Sequence, residues 1–379
     1  MDIFDFIKYN LYDKIKLFFD YGGNINAKNN NGVSLLMNAL QSKKDKNIIQ
    51  LLLHNGAFIN EKNKYGHTPL IFAFKYKNNK DIIKLLLDNG ADINEKTKHK
   101  FTILMYAIKY KYDKDIIELL LDNGADINEK NNVGDTPLIV ALMYKYNKDI
   151  IQLLIDSGGD VNLKNNYGFT PLMKALYHNN YKDIIELLLY KGADVNSIND
   201  EGSTPLMQAL LFKNDKDVIQ LLLDNGADVN AINNNSTTPL MFALSFKNNK
   251  DVIQLLLDNG AVVNVKNNVG HTPLMFALYC ENDKDIIRLL LNSGADDNAK
   301  DKFGNTPLIV ALKCKNNKDV IELLINNGAD VNAKANDGHT PLLVALWSNN
   351  NKDIIELLLD NGADDDLETL QEKINESDY

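Results

Sequence analysis

Apolar residues follow two rhythms that alternate down the chain. Leu70, Ala73 and Phe74 stand at i, i+3 and i+4, which gives a short helix one apolar stripe. The run Ile82-Ile83-Lys84-Leu85-Leu86-Leu87 is apolar on all but one side, as expected of a helix sandwiched between neighbours. The pair of rhythms then returns with a period of 34 residues, and the Leu of the first stripe falls at Leu36, Leu70, Leu104, Leu138, Leu172, Leu206, Leu240, Leu274, Leu308 and Leu342. A fixed period of this size predicts supersecondary units that stack to bury a shared core.

Polar positions punctuate each unit. Thr68 before Pro69 predicts a helix start, because Thr caps free amides and Pro is preset for the first helical position. All eight prolines of the chain occupy this column. A polar loop such as Tyr76-Lys77-Asn78 follows. A second capping column then opens the next helix at Asp45, Asn79, Asp113, Asn147, Asp215, Asn249, Asp283, Asn317 and Asn351, with Tyr181 as the exception. Gly90 and its equivalents from Gly56 to Gly362 predict left-handed helix ends. What remains between helix pairs is turn-rich and reads as a short two-stranded excursion.

Gly-His-Thr-Pro-Leu-x-x-Ala, followed by Ile-Ile-x-Leu-Leu-Leu-x-x-Gly-Ala-Asp-Ile-Asn, resembles the ankyrin repeat, whose signature is T-P-L-H-x-A over about 33 residues. The likeness covers nearly the whole chain. It implies an all-α fold, an α-solenoid of helix pairs with short β-hairpin loops, elongated and curved. In the family, hairpin tips and first helices line a concave face that grips protein partners. Two departures stand out. Met37, Ile71, Met105 and Met173 replace the signature His, so packing takes the place of the hydrogen bonds that His makes between repeats. The period is one residue longer than the family's, because a Lys-Asn-Asn type of loop replaces the Gly that ends the first helix in the family.

Residues 1–27 read as a degenerate amino-terminal capping repeat, with Leu17, Phe18 and Phe19 aligned to Leu51, Leu52 and Leu53, and Asp2 and Asp5 in place of the buried Leu36 and Ala39. Ten repeats in one continuous solenoid span 28–366. Residues 367–379 read as a carboxy-terminal capping helix or frayed tail, on the shared face of Leu367, Leu370 and Ile374. Three units break the pattern: the third carries Lys100 for the turn Gly and Ile103 for Pro, the seventh Ser236 for Gly, the first Ser34-Leu35. Asn235 is expected to relieve the seventh turn by taking the left-handed conformation itself.

Composition narrows the function. With 45% apolar and 24% charged residues the chain is ordinary for a folded protein. A net charge of −10 argues against nucleic-acid or anionic-membrane partners, which need a basic field. Apolar runs fall far short of the roughly 18 residues that span a bilayer. The acidic start, Met1-Asp2-Ile3-Phe4-Asp5-Phe6, is unlike a signal peptide and points to the cytoplasm, with the nucleus as the alternative. Cys280 and Cys314 occupy one column in adjacent units, where helices about 8–10 Å apart exceed the roughly 7 Å limit for a disulfide, so two free thiols are expected.

Catalysis finds no support. His54, His67, His99, His178, His271 and His339 show no metal-ligand spacing and read as surface residues. Acids and lysines recur in columns along edges, whereas acid–base or nucleophilic chemistry needs unlike groups converging. No cofactor, metal or enzymatic role is expected. The candidate partner-binding set comprises tip residues Tyr65, His67, His99, Phe101, Tyr167, Phe169, His271 and Phe303, and residues at the end of the first helix: Tyr76, Tyr110, Tyr144, Tyr177, His178, Phe212, Phe246, Tyr279 and Trp347. Asp135 and Glu201 complete it. Aromatic residues are enriched at binding hot spots, although the Tyr76 column packs equally well under the lengthened loop. The third to sixth units, Phe101 to Phe212, diverge most from the Asn-rich pattern and are expected to hold the main contact. The function expected is a monomeric, non-catalytic scaffold for a protein partner. A structural spacer or self-assembling rod is the rival, and nucleic-acid binding through the lysine edge the weaker one.

Overall fold

A computed structural model describes residues 2–43, 45–178, 181–247, 249–314, 317–348 and 352–364. The capping residue Asn351 and the carboxy-terminal lid lie outside them. Among the described residues there are 22 helices, from Ile3–Lys8 to Lys352–Asp360. They form two compact units, one of residues 1–175 with 190–193, the other of 176–189 and 194 onward. The same build recurs inside each.

Thr68 starts a helix as its sequence predicts: its hydroxyl accepts the Ile71 amide at 3.4 Å, and Pro69 takes the first helical position of Pro69–Lys75. Leu70, Ile71, Ala73 and Phe74 are fully or almost fully buried. Within each unit successive first helices pack directly on one another, and a first helix such as Pro69–Lys75 also packs on the second helix of its own pair. The small Ala73 permits that approach. The second helix Lys80–Asp88 buries Ile82, Ile83 and Leu86 but leaves Leu85 and Leu87 partly open. It is therefore the outer layer and not a sandwiched one.

Side-chain capping of the second helices varies from repeat to repeat, and Asp45 accepts the Asn47 amide at 3.2 Å. Asn79, Asn147, Asn249 and Asn317 each accept the third helical amide, at 2.9–3.3 Å. Asp113, Asp215 and Asp283 hold the same place without such a bond. Their charge still suits the positive end of the helix dipole.

Both helices of a pair end in the same way. Gly90 has φ +86°, its amide donates to Leu87 O at 2.9 Å and that of Ala91 to Leu86 O at 3.0 Å. At the end of the first helix Lys77 takes this role with φ +53°, and the amides of Lys77 and Asn78 reach back to Phe74 O and Ala73 O. Lys43, Lys111, Lys145, Lys213, Lys247 and Glu281 repeat the conformation. The extra residue therefore replaces the family Gly in sequence but not in backbone shape.

The excursion between pairs is a tight turn closed on one side chain. Asn63 Oδ1 accepts the amides of Tyr65 and His67, each at 2.9 Å, and the Asn63 amide donates to His67 O. Those amides are then unavailable to a strand ladder. Among the described residues no strand forms, and Lys28 with Ser34 makes an isolated antiparallel bridge. The turn forces a left-handed fourth residue whatever its type: Gly66 at φ +76°, Lys100 at +54°, Ser236 at +56°. Asn235 does not relieve the seventh unit. Its amide is held by Asn233 Oδ1, so Ser236 itself makes the left-handed turn and its hydroxyl bonds Asn268 Oδ1 at 2.7 Å.

Adjacent repeats are joined by hydrogen bonds as well as by packing. Asn60 Nδ2 donates to Gly90 O at 2.9 Å while its Oδ1 accepts the Asp92 amide at 2.8 Å. The donor bond recurs at every thirty-fourth residue, from Asn26 to Asn162 in the first unit and from Asn196 to Asn332 in the second. The apparently polar loop adds a second joint. Asn78 is buried, and its Nδ2 donates to Leu40 O of the preceding repeat at 3.0 Å and to Ala73 O at 3.2 Å. Asn214 and Asn282 do the same, while Tyr112 and Tyr146 put a hydroxyl where that amide would be.

At the amino terminus Asp2 and Asp5 do not stand in for buried residues. They form a reciprocal cap on Ile3–Lys8, with Asp5 N to Asp2 Oδ1 at 2.9 Å and Asp2 N to Asp5 Oδ2 at 3.2 Å. Ile7 and Ile15 supply the buried positions there, and Leu17 stays half exposed.

Candidate functional site

Tips and first helices share a face because the residue after the tip Gly sits beside the helix it precedes. In the first unit this brings together aromatic rings of two repeats. His67 lies 6.2 Å from Tyr65, 6.1 Å from Phe72 and 6.3 Å from Tyr106, centroid to centroid. Phe72 continues to Tyr76 at 5.5 Å, Tyr106 meets Phe101 at 5.2 Å edge-on and Tyr110 at 5.8 Å stacked. Six candidates, Tyr65, His67, Tyr76, Phe101, Tyr106's neighbour Tyr110 and the exposed His99, thus lie on one surface or at its border. Phe72 and Tyr106, which hold it together, were not expected. They stand two residues after the helix-start Leu, outside the stripe that marks the core, and the aromatic recurrence at Phe242 and Phe276 is the signal for them.

The remaining candidates divide. Tyr167 is 58% exposed at its tip, and Lys174 Nζ lies 4.2 Å from the centroid of the Phe169 ring. Tyr177 packs edge-on against Phe212 at 4.8 Å and beside His178 at 5.3 Å. In the second unit His271 meets Phe276 and Tyr279, and Trp347 rests against His339 at 4.5 Å. Tyr144 and Phe303 are exposed without a ring neighbour of this kind among the described residues, Phe246 lies 5.9 Å from Phe242, and Glu201 is exposed at its tip. Asp135 departs from the set: it is buried and accepts Asn165 Nδ2 of the next repeat at 2.9 Å, a joint between tips and not a contact surface.

The column histidines are not plain surface groups either. His67 and His271 are half-buried beneath rings, and His67 Nδ1 is buried with no hydrogen-bond partner. Burial, then Lys75 and His99, hold the His67 pKa below the ordinary 6.5. Burial lowers that of His271 as well, against the opposing pull of Asp301, whose Oδ2 lies 3.7 Å from Nε2. Tyr106 is pushed up to about 12 by burial and by Tyr110, so its hydroxyl stays neutral.

Chemically the face offers ring edges, phenolic hydroxyls and ammonium groups. Among the described residues no three His, Cys, Asp or Glu side chains converge as a metal site requires. Both thiols are free, and burial raises their pKa. No helix among the described residues is long and apolar enough to cross a membrane.

No curated protein matches the chain. A family model described as "Ankyrin repeats (3 copies)" matches residues 4–97, 104–199, 178–267, 206–301 and 274–369. Ankyrin repeats are generally protein–protein interaction modules. With helix pairs, Thr-Pro caps and glycine-closed turns repeating in register throughout these spans, the chain belongs to the ankyrin-repeat family.

Proposed function

We propose that the protein is a non-catalytic scaffold that holds a protein partner on the face made by its turn tips and first helices. The observation that carries this is the aromatic chain from Tyr65 through His67 and Phe72 to Tyr76, extended across the next repeat by Tyr106 and Tyr110. Partly exposed aromatic residues clustered on a rigid support are what protein interfaces use as anchors. The chain acts as a monomer in the cytoplasm. Its first helix pair, within residues 1–27, shields the core from solvent as terminal repeats must.

The test is capture of a partner from the source cell by immobilised protein. Loss of that partner from the triple variant Tyr65→Ala, Phe101→Ala, Tyr167→Ala is expected. Tyr190→Ala, at a residue 85% exposed on the end of a second helix, should leave it bound. Equal capture by all three proteins removes the proposal.

A further inference from the structure

Charge is not spread evenly over this acidic chain. Residues 62–80 contain five lysines and no Asp or Glu, and residues 96–112 again five and none. Some of these lysines are committed: Lys62 pairs with Glu95, Lys80 with Asp115 and Lys96 with Glu129. Lys77 and Lys111 sit in the loops between helices. The other five, Lys64, Lys75, Lys98, Lys100 and Lys109, make no close ion pair with a carboxylate among the described residues, although Lys100 acts on Glu129 through space. Two of them rest on rings instead. Lys75 Nζ is 5.7 Å from the centroid of Tyr76, and Lys109 Nζ is 5.6 Å from Phe101 and 5.9 Å from Tyr110.

Resting on this reading of the face as a protein-binding surface, we infer that the second and third repeats bind an acidic peptide segment, with Lys75 and Lys109 as its central charge contacts. An ammonium held over an aromatic ring is ordered yet keeps its charge for a carboxylate. Equivalent residues of adjacent repeats lie roughly 8–10 Å apart by helix spacing. An extended peptide advances about 3.3 Å per residue, so carboxylates about three residues apart match the two lysines. The patch ends where the lysines do: in the following repeats Met143 and Tyr177 take the place of Lys75 and Lys109. A short acidic segment is thus favoured over a long polyanion, which the net charge of −10 repels elsewhere.

Nucleic acid fits the rings poorly. Base stacking needs open aromatic faces. Here His67 meets Phe72 and Tyr106 at interplanar angles of 70° and 80°, Phe101 meets Tyr106 at 82°, and lysines cover Tyr76, Phe101 and Tyr110.

The experiment is fluorescence anisotropy with a fluorescein-labelled peptide bearing a glutamate at every third position and tyrosines between. Saturable binding to the full chain is expected, at least about tenfold weaker in K75E/K109E and unchanged in K213E/K247E, which alters two lysines of the inter-helix loops. All four side chains are exposed, and a circular-dichroism melt confirms that each variant folds. Absence of peptide binding, equal binding by K75E/K109E, equal loss in the control pair, or tighter binding of a labelled oligothymidylate each overturns the inference. If the peptide fails while partner capture still depends on Tyr65, Phe101 and Tyr167, the charge specificity falls and the protein-binding role stands.

Discussion

Lys77 holds a backbone conformation that favours glycine, at φ +53°, and six other described lysines hold it too. A side chain there costs about 1 kcal/mol relative to Gly, so Lys77→Gly should raise stability by about that amount, read as a higher urea midpoint. Next to it, Asn78→Ala removes two buried hydrogen bonds, one of them the bond to Leu40 O that ties two repeats together. A loss of about 2 kcal/mol is expected, and a loss within error would show that the joint is dispensable. His67 adds a pH dependence. Because its folded pKa lies below 6.5, the unfolded chain binds more protons between that folded value and 6.5. Stability should therefore be full above pH 6.5 and fall as pH drops toward the folded pKa, and His67→Gln should flatten the fall in a pH series of melts. The role of Lys77 was hidden in its sequence because a polar loop between helices looks the same whether solvated or tied down. The clue lies in its neighbour: the Asn78 column varies mainly to Tyr, at Tyr112 and Tyr146, and both side chains donate a hydrogen bond.

The helices were legible almost entirely from caps and apolar spacing, since Thr68 and Pro69 act within one turn of chain. The turn was less so. Glycine columns mark where it bends, but its organiser is the side chain of Asn63, which gathers amides along the chain in a way that period counting does not show. At Gly134 two demands coincide, φ +80° and a neighbour so close that an added Cβ would lie 2.4 Å from Asn166 Oδ1 and 2.5 Å from its amide nitrogen. Gly134→Ala should cost at least about 1 kcal/mol and lower the melting temperature. The reverse change, Lys100→Gly with Ile103→Pro, should raise it, since Lys100 strains the same turn and Ile103 fills the first helical position that Pro occupies elsewhere. The aromatic face was half visible. Tyr65 and Phe101 announce themselves at tips, whereas Phe72 and Tyr106 carry only the weak signal of an aromatic column, and it is the His67 ring, in the repeat of Phe72 and beside Tyr106 of the next, that joins them.

For the whole molecule, the sequence period establishes the repeat architecture, while the proposed partner site rests on local charge. Binding of the acidic peptide should weaken as salt rises, because a Debye length of about 10 Å at 0.1 M shrinks to about 3 Å at 1 M. An affinity indifferent to salt would point to the rings without the lysines. The Asn60 type of joint has a further consequence. Since each clasp presents the same donor and acceptor to the next, any two repeats within a unit are interchangeable at their seam. Excising residues 232–265 from the gene would deliver Gly294 to Asn230 in place of Gly260. Such a shortened variant should fold and melt cooperatively, whereas a cut one residue shorter should not; length can thus be gained or lost by splicing whole links, as in a chain whose every clasp is cut to one pattern.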